Sequence, residues 1–132
     1  MNAPRLLIVD DNPLNVLIAR EVLSADGFEV EAAADAEEAV QQIGAFGPEL
    51  ILMDIQLPGM DGLALTRRLK AELATQHIVI VAFTAFAMRG DEEKMRAAGC
   101  DGYASKPIDV NKFAAQIRSL LRPPASGSAG LP

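Results

Sequence analysis

Apolar residues along this chain fall into two textures that take turns. Leu-Leu-Ile-Val (6–9), Leu-Ile-Leu-Met (50–53) and Ile-Val-Ile-Val-Ala-Phe (78–83) are unbroken runs, the signature of strands buried on both faces of a parallel sheet. Shorter β-like pieces lie at 29–33 and 102–104. Between the strands the spacing changes to i, i+3, i+4, which predicts helices: Leu14, Leu17, Ile18 and Val22, then Ala36, Ala39, Val40 and Ile43. A third runs through Leu65, Leu69 and Leu73, and a fifth through Val110, Phe113, Ala114, Ile117 and Leu121. Segment 89–98 is polar, with Met88, Met95 and Ala98 as its evident anchors, and predicts a loosely held fourth helix.

Local punctuation agrees with these boundaries. Asn12-Pro13 suits an N-cap followed by proline at the first helical position, and Asp35 with Glu38 resembles a capping box. Gly27, Gly47 and Gly99 follow helical stretches. Five strand–helix repeats predict an α/β, doubly wound parallel sheet with right-handed crossovers, and in such sheets ligands sit at the carboxyl ends of the strands.

At 132 residues the chain fits one domain, read here as 1–121, followed by a Pro-, Gly- and Ser-rich segment, 122–132, read as a flexible tail. Twelve basic residues against eighteen acidic ones, without a basic run, disfavour direct nucleic-acid binding and point to protein partners. No apolar stretch reaches the roughly 18 residues of a membrane span, and the first residues do not read as a signal peptide, so a cytoplasmic location is expected. Cys100 and His77 are each the only residue of their kind. That excludes an internal disulfide, a cysteine-based metal site and a histidine dyad within the chain. Cys100 reads as a small buried or half-buried hydrophobe and His77 as a residue of an exposed turn.

Polar residues appear where the apolar runs stop: Asp10 and Asp11 after the first, Asp54 after the third, Thr84 after the fourth and Lys106 after the fifth. Carboxylates there would be costly in a core, but one sheet edge gathers them all. Three carboxylates so close repel one another unless a cation is present, and an oxygen-only donor set favours Mg²⁺, with the Gln56 carbonyl as a further oxygen. Lys106 precedes Pro107, an X-Pro bond open to the cis form, and can neutralise the acids or pair with a phosphoryl oxygen. Thr84 and the N–H of Ala85 can face the same group. By contrast, Asp61, Asp91 and Asp109 read as caps or turn residues, and Tyr103 by itself as an ordinary half-buried aromatic.

Leu-Ile-Val-Asp-Asp-Asn, Leu-Ile-Leu-Met-Asp-Ile-Gln-Leu-Pro-Gly-Met-Asp-Gly, Phe-Thr-Ala and Ser-Lys-Pro resemble the response-regulator receiver domain of two-component signalling, closest to single-domain cell-cycle response regulators and receivers of hybrid kinases. The resemblance spans about 6–121. It implies a flavodoxin-like fold of five parallel strands in the order 2-1-3-4-5 with five helices. It implies that Asp54 is the phosphoacceptor, taking a phosphoryl group from a phosphohistidine on a sensor histidine kinase or histidine phosphotransfer protein. Asp10, Asp11, Asp54 and Gln56 would match the Mg²⁺ site, Ala85 and Lys106 the phosphate-binding positions, and Thr84 with Tyr103 the switch pair.

The implied partner surface is the face made by the fourth helix, last strand and fifth helix, on a monomer or phosphorylation-dependent dimer. Gln56 and Phe86 are the positions expected to tune the lifetime of the phosphorylated state. The chain would be a signalling phosphoacceptor that assists its own phosphorylation and dephosphorylation, not a turnover enzyme. Phosphatases of the haloacid-dehalogenase type also use an aspartate with Mg²⁺, but they resemble Asp-x-Asp where Gln56 stands here. One departure from the receiver pattern is His77-Ile78-Val79, where many relatives carry a proline before the fourth strand.

Overall fold

A computed structural model describes residues 3–57, 61–85 and 89–121, with the side chains of 89–91 left undescribed. Five strands, β1 (Arg5–Val9), β2 (Glu29–Ala33), β3 (Leu50–Asp54), β4 (Val79–Thr84) and β5 (Gly102–Ser105), form one parallel sheet in the order β2-β1-β3-β4-β5. The helices α1 (Pro13–Ala25), α2 (Ala36–Phe46), α3 (Gly62–Ala71), α4 (Arg89–Ala98) and α5 (Phe113–Leu121) alternate with them. Each expected strand is present. The expected tail, 122–132, lies outside the described residues, as do Met88 and Phe86.

Alternation of side chains along each strand builds two cores. Leu6, Ile8, Leu52 and Phe83 face one side with Ala19, Leu23, Phe113 and Ile117 of α1 and α5. Leu7, Val9, Ile51 and Ile80 face the other with Ala39 of α2 and with Leu65 and Leu69 of α3. A smaller cluster of Leu63, Ala82, Met95 and Ala98 attaches α4. Because β1 and β3 are covered on both sides, their alternating pattern vanishes and the runs read as continuous.

The caps form as expected. The Asn12 side chain accepts from the N–H groups of Leu14 and Asn15, and Asp35 accepts from Glu38 N–H at 2.8 Å. Glu38 reaches one residue further back than in a capping box, to Ala34 N–H. Gly27, Gly47 and Gly99 have φ of 96°, 67° and 105°, the left-handed conformation that favours glycine after a helix. Asp61 caps α3 and Asp109 accepts from Asn111 N–H, as turn residues do.

Five apolar positions fall elsewhere than expected, among them Val40, which lies on the exposed side of α2. In α1 the core-facing stripe runs through Val16, Ala19 and Leu23, while Leu14 and Leu17 are exposed. Two apolar stripes lie on that helix, and the one carrying the small Ala19 lets its backbone approach the sheet. Leu73 lies beyond the end of α3 and Val110 before the start of α5, both exposed, so neither extends its helix.

Candidate functional site

Register decides which polar residues meet. Val9 pairs with Met53, so Asp10, one residue past β1, comes beside Asp54, the last residue of β3. Asp10 N–H is tied to Ala33 O of β2 at 3.0 Å, which fixes how the chain leaves the sheet. One oxygen each from Asp10, Asp11 and Asp54 lies within 4.8 Å of the others. Asp11 is exposed, whereas Asp10 is 2 % and Asp54 5 % exposed.

Both buried carboxylates are held by donors. Asp10 Oδ1 accepts from Asn12 N–H at 2.8 Å, and Asp54 Oδ1 accepts from Gln56 N–H at 2.9 Å. Lys106 Nζ sits between them, 3.1 Å from Asp10 Oδ2 and 3.4 Å from Asp54 Oδ2. The ammonium also lies 4.8 Å from the centroid of the Phe83 ring. Lys106 is placed by its N–H bond to Thr84 O at 2.9 Å, and the Lys106–Pro107 peptide is cis.

One lysine against three acids leaves the edge negative. Burial is the largest influence on Asp54 and pushes its carboxyl above the ordinary range, with Asp10 adding to the rise. The Gln56 N–H and Lys106 oppose it. A carboxyl whose pKa is higher folded than unfolded binds its proton more tightly in the native state. Cation-free protein is therefore expected to lose stability as pH rises from the unfolded value, about 3.9, through the raised one, and to regain it on acidification. Asp54→Asn removes that penalty, so without Mg²⁺ the variant is expected to be more stable to unfolding than the parent at neutral pH, the gap closing toward pH ~4. Urea unfolding across that range measures it, and a gap independent of pH would contradict the origin assigned to it.

Thr84 ends β4, 2 % exposed, with Ala85 next at the same edge. Tyr103 stands apart from them. It pairs with Ala82 in β5 and is 39 % exposed, more open than the sequence suggests, because an edge strand has only one covered neighbour. A hydrogen bond to the Glu92 carboxylate of α4, then the charge of that group, holds the Tyr103 hydroxyl above its ordinary pKa. Tyr103 is the only tyrosine and the chain has no tryptophan, so phenolate absorbance reports it alone. Glu92→Gln is expected to bring the titration down toward the usual value of about 10; an unmoved titration would remove Glu92 as its partner.

His77 lies in an exposed turn and Cys100 is half-buried, both as expected and both away from the acidic edge. Asp91 lies in α4, its side chain outside the described set. Two contributors carry roles that the sequence did not assign, although Gly62 closes the motif around Asp54. Asn15 Nδ2 reaches Asp10 Oδ2 at 3.4 Å, and Gly62 packs directly on the backbone of Asp54. The polar Asn15 within an otherwise apolar first turn of α1 is the one signal that pointed to it.

Strand order and an edge of aspartates, threonine and lysine together define a receiver domain, the module that accepts signals in two-component systems. The chain belongs to the response regulator receiver domain family, which it matches over residues 6–118. Among its relatives is the polar-differentiation response regulator DivK of Brucella ovis, 45 % identical over 116 residues, covering 88 % of this chain and 94 % of that protein. The receiver domain of sensor histidine kinase PA1611 from Pseudomonas aeruginosa, solved with a magnesium ion in its active-site cleft, is 32 % identical with a TM-score of 0.77, covering 91 % of this chain and 95 % of that one. A CheY-like receiver from Methanospirillum hungatei superposes with a TM-score of 0.82 at 29 % identity, covering 91 % and 94 %.

As a receiver homologous to DivK, the chain is a phosphoacceptor response regulator of two-component signalling. Its acidic cluster offers only oxygen donors, two of them on buried carboxylates, a set that fits a hard divalent cation. No helix among the described residues is long and apolar enough to cross a membrane.

Proposed function

We propose that Asp54 accepts a phosphoryl group from a phosphohistidine on a sensor histidine kinase or histidine phosphotransfer protein, and that the resulting aspartyl phosphate switches a protein-binding face. The observation that supports this reading most is the convergence on one buried carboxylate of two further acids, a backbone N–H and a lysine. An Asp54 oxygen forms the bond to phosphorus as the phosphorus–imidazole bond breaks, its electron pair returning to the histidine nitrogen. The nucleophile starts as an anion, so no general base is required.

Asp10, Asp11, Asp54 and the Gln56 carbonyl would hold Mg²⁺, which would supply neutralising charge to the phosphoryl oxygens. Lys106 leaves the Asp10 and Asp54 carboxylates for a phosphoryl oxygen, and Thr84 Oγ1 with the Ala85 N–H donates to the same group. Thr84 moves toward the phosphate and Tyr103 turns inward from its exposed position, repacking the face of α4, β5 and α5 where a downstream protein binds. Moving that equilibrium from 1:99 to 99:1 takes about 5.5 kcal/mol, within reach of a few charge-assisted hydrogen bonds.

Reduction of the labelled protein with borohydride, which converts an aspartyl phosphate to homoserine, tests the assignment by peptide mass spectrometry. Homoserine at position 54, formed with Mg²⁺ and absent with chelator, is the expected result; homoserine at Asp10 or Asp11 instead would overturn it.

A further inference from the structure

We propose that Asn15 is a positioning residue for the cation site: its side-chain amide fixes the Asp10 carboxylate in the pose that meets Asp54, and keeps it there when Lys106 departs. The inference rests on the reading of Asp10, Asp11 and Asp54 as a magnesium site. The Asp10 side chain has no exposure to solvent, so both its oxygens depend on donors within the protein. Oδ1 takes the Asn12 N–H at 2.8 Å. Oδ2 takes two donors of different character, Lys106 Nζ at 3.1 Å and Asn15 Nδ2 at 3.4 Å.

Lys106 is shared, because the same ammonium lies 3.4 Å from Asp54 Oδ2. Whatever draws that ammonium toward Asp54 draws it away from Asp10. Among the described residues, the Asn15 amide makes no such second contact at the acidic edge. It stands in the first turn of α1, whose N-cap is Asn12 and whose first residue is Pro13. One capped turn thus holds both oxygens of Asp10, the first through a backbone N–H and the second through a side-chain amide.

Neutrality is what suits asparagine to the place. Lysine or arginine at position 15 would hold Asp10 as firmly but would set a positive charge against the incoming cation. An amide orients the ligand without that repulsion. Partners of metal-ligating groups typically influence metal affinity by roughly 10- to 100-fold. At 3.4 Å the Asn15 contact is long, so a smaller effect, about threefold to tenfold, is expected.

The experiment is calorimetric titration of the full chain with MgCl₂, comparing the parent with Asn15→Leu, which keeps the shape and loses the donor, and Asn15→Gln, which keeps the amide. Asn15→Leu is expected to bind Mg²⁺ about threefold to tenfold more weakly, with Asn15→Gln recovering part of the loss. Phosphorylation of Asn15→Leu by a small acyl phosphate is expected to reach the parental rate at saturating Mg²⁺, the defect residing in the half-saturating concentration. Equal Mg²⁺ affinity in the parent and Asn15→Leu would overturn the inference, as would a defect that Asn15→Gln shares in full or that saturating Mg²⁺ leaves uncorrected. Absence of Mg²⁺ uptake by the parent itself would instead overturn the cation site on which the inference rests.

Discussion

Asparagine in place of Asp54 is expected to abolish phosphoryl incorporation from a kinase, a phosphotransfer protein or a small acyl phosphate. The side chain keeps its shape, and its oxygen can still accept the Gln56 N–H that now binds Asp54 Oδ1 at 2.9 Å. Lys106 retains Asp10 as a partner at 3.1 Å. Fold and register therefore survive, and removal of a carboxyl raised by burial leaves the cation-free protein more stable at neutral pH, not less. What disappears is the anionic nucleophile, since an amide oxygen carries no full charge and the amide nitrogen lone pair is delocalised. Quantitative labelling followed by peptide mapping makes the measurement, because Asp11 is an exposed carboxylate within 4.8 Å that offers a weaker alternative. Labelling of Asp54→Asn at the parental level would sink the assignment of Asp54 as acceptor.

The parallel sheet and the acidic edge were legible in the sequence for a physical reason, whereas the strand order came only with the family resemblance. A strand buried on both faces must be apolar throughout, so the residue at which polarity returns marks the carboxyl edge, and Asp10, Asp54 and Thr84 each stand at such a return, while Lys106 follows the short edge strand β5. Helix faces were less legible. On α1 the sequence offers two apolar stripes, and periodicity does not say that Val16, Ala19 and Leu23 are covered while Leu14 and Leu17 face outward. That choice follows from how closely the helix backbone approaches the sheet, a tertiary property favoured by the small Ala19.

Helix ends were blurred in the same way, since Leu73 and Val110 continue the apolar spacing although neither lies within its helix. Asn15 and Gly62 were hidden for a third reason. Their partners, Asp10 Oδ2 and the Asp54 backbone, are contacts made only once helix and strand have met.

Gly62→Ala is expected to destabilise the protein by about 3 kcal/mol or more and to impair phosphorylation with it. Two effects compete at this position. Gly62 opens α3, and helix propensity alone would favour alanine by about 1 kcal/mol. Against that, an added Cβ would lie 2.2 Å from the Asp54 carbonyl oxygen and 2.8 Å from Ile55 Cα. These are backbone atoms, and no rotamer change relieves the clash.

Either α3 retreats, straining the Gly62 N–H bond to Ile55 O at 3.2 Å and the packing of Leu65 and Leu69, or the end of β3 shifts and takes the Asp54 carboxylate with it. Sterics therefore outweigh propensity, and the same methyl that loosens the fold misplaces the acceptor relative to Asp10 and Lys106. Urea unfolding reads the first consequence, and labelling by an acyl phosphate, under conditions where the variant is still folded, reads the second. A Gly62→Ala protein as stable as its parent would mean that α3 can stand off from β3, and that the close approach of the two backbones does not hold Asp54 at the edge of the sheet.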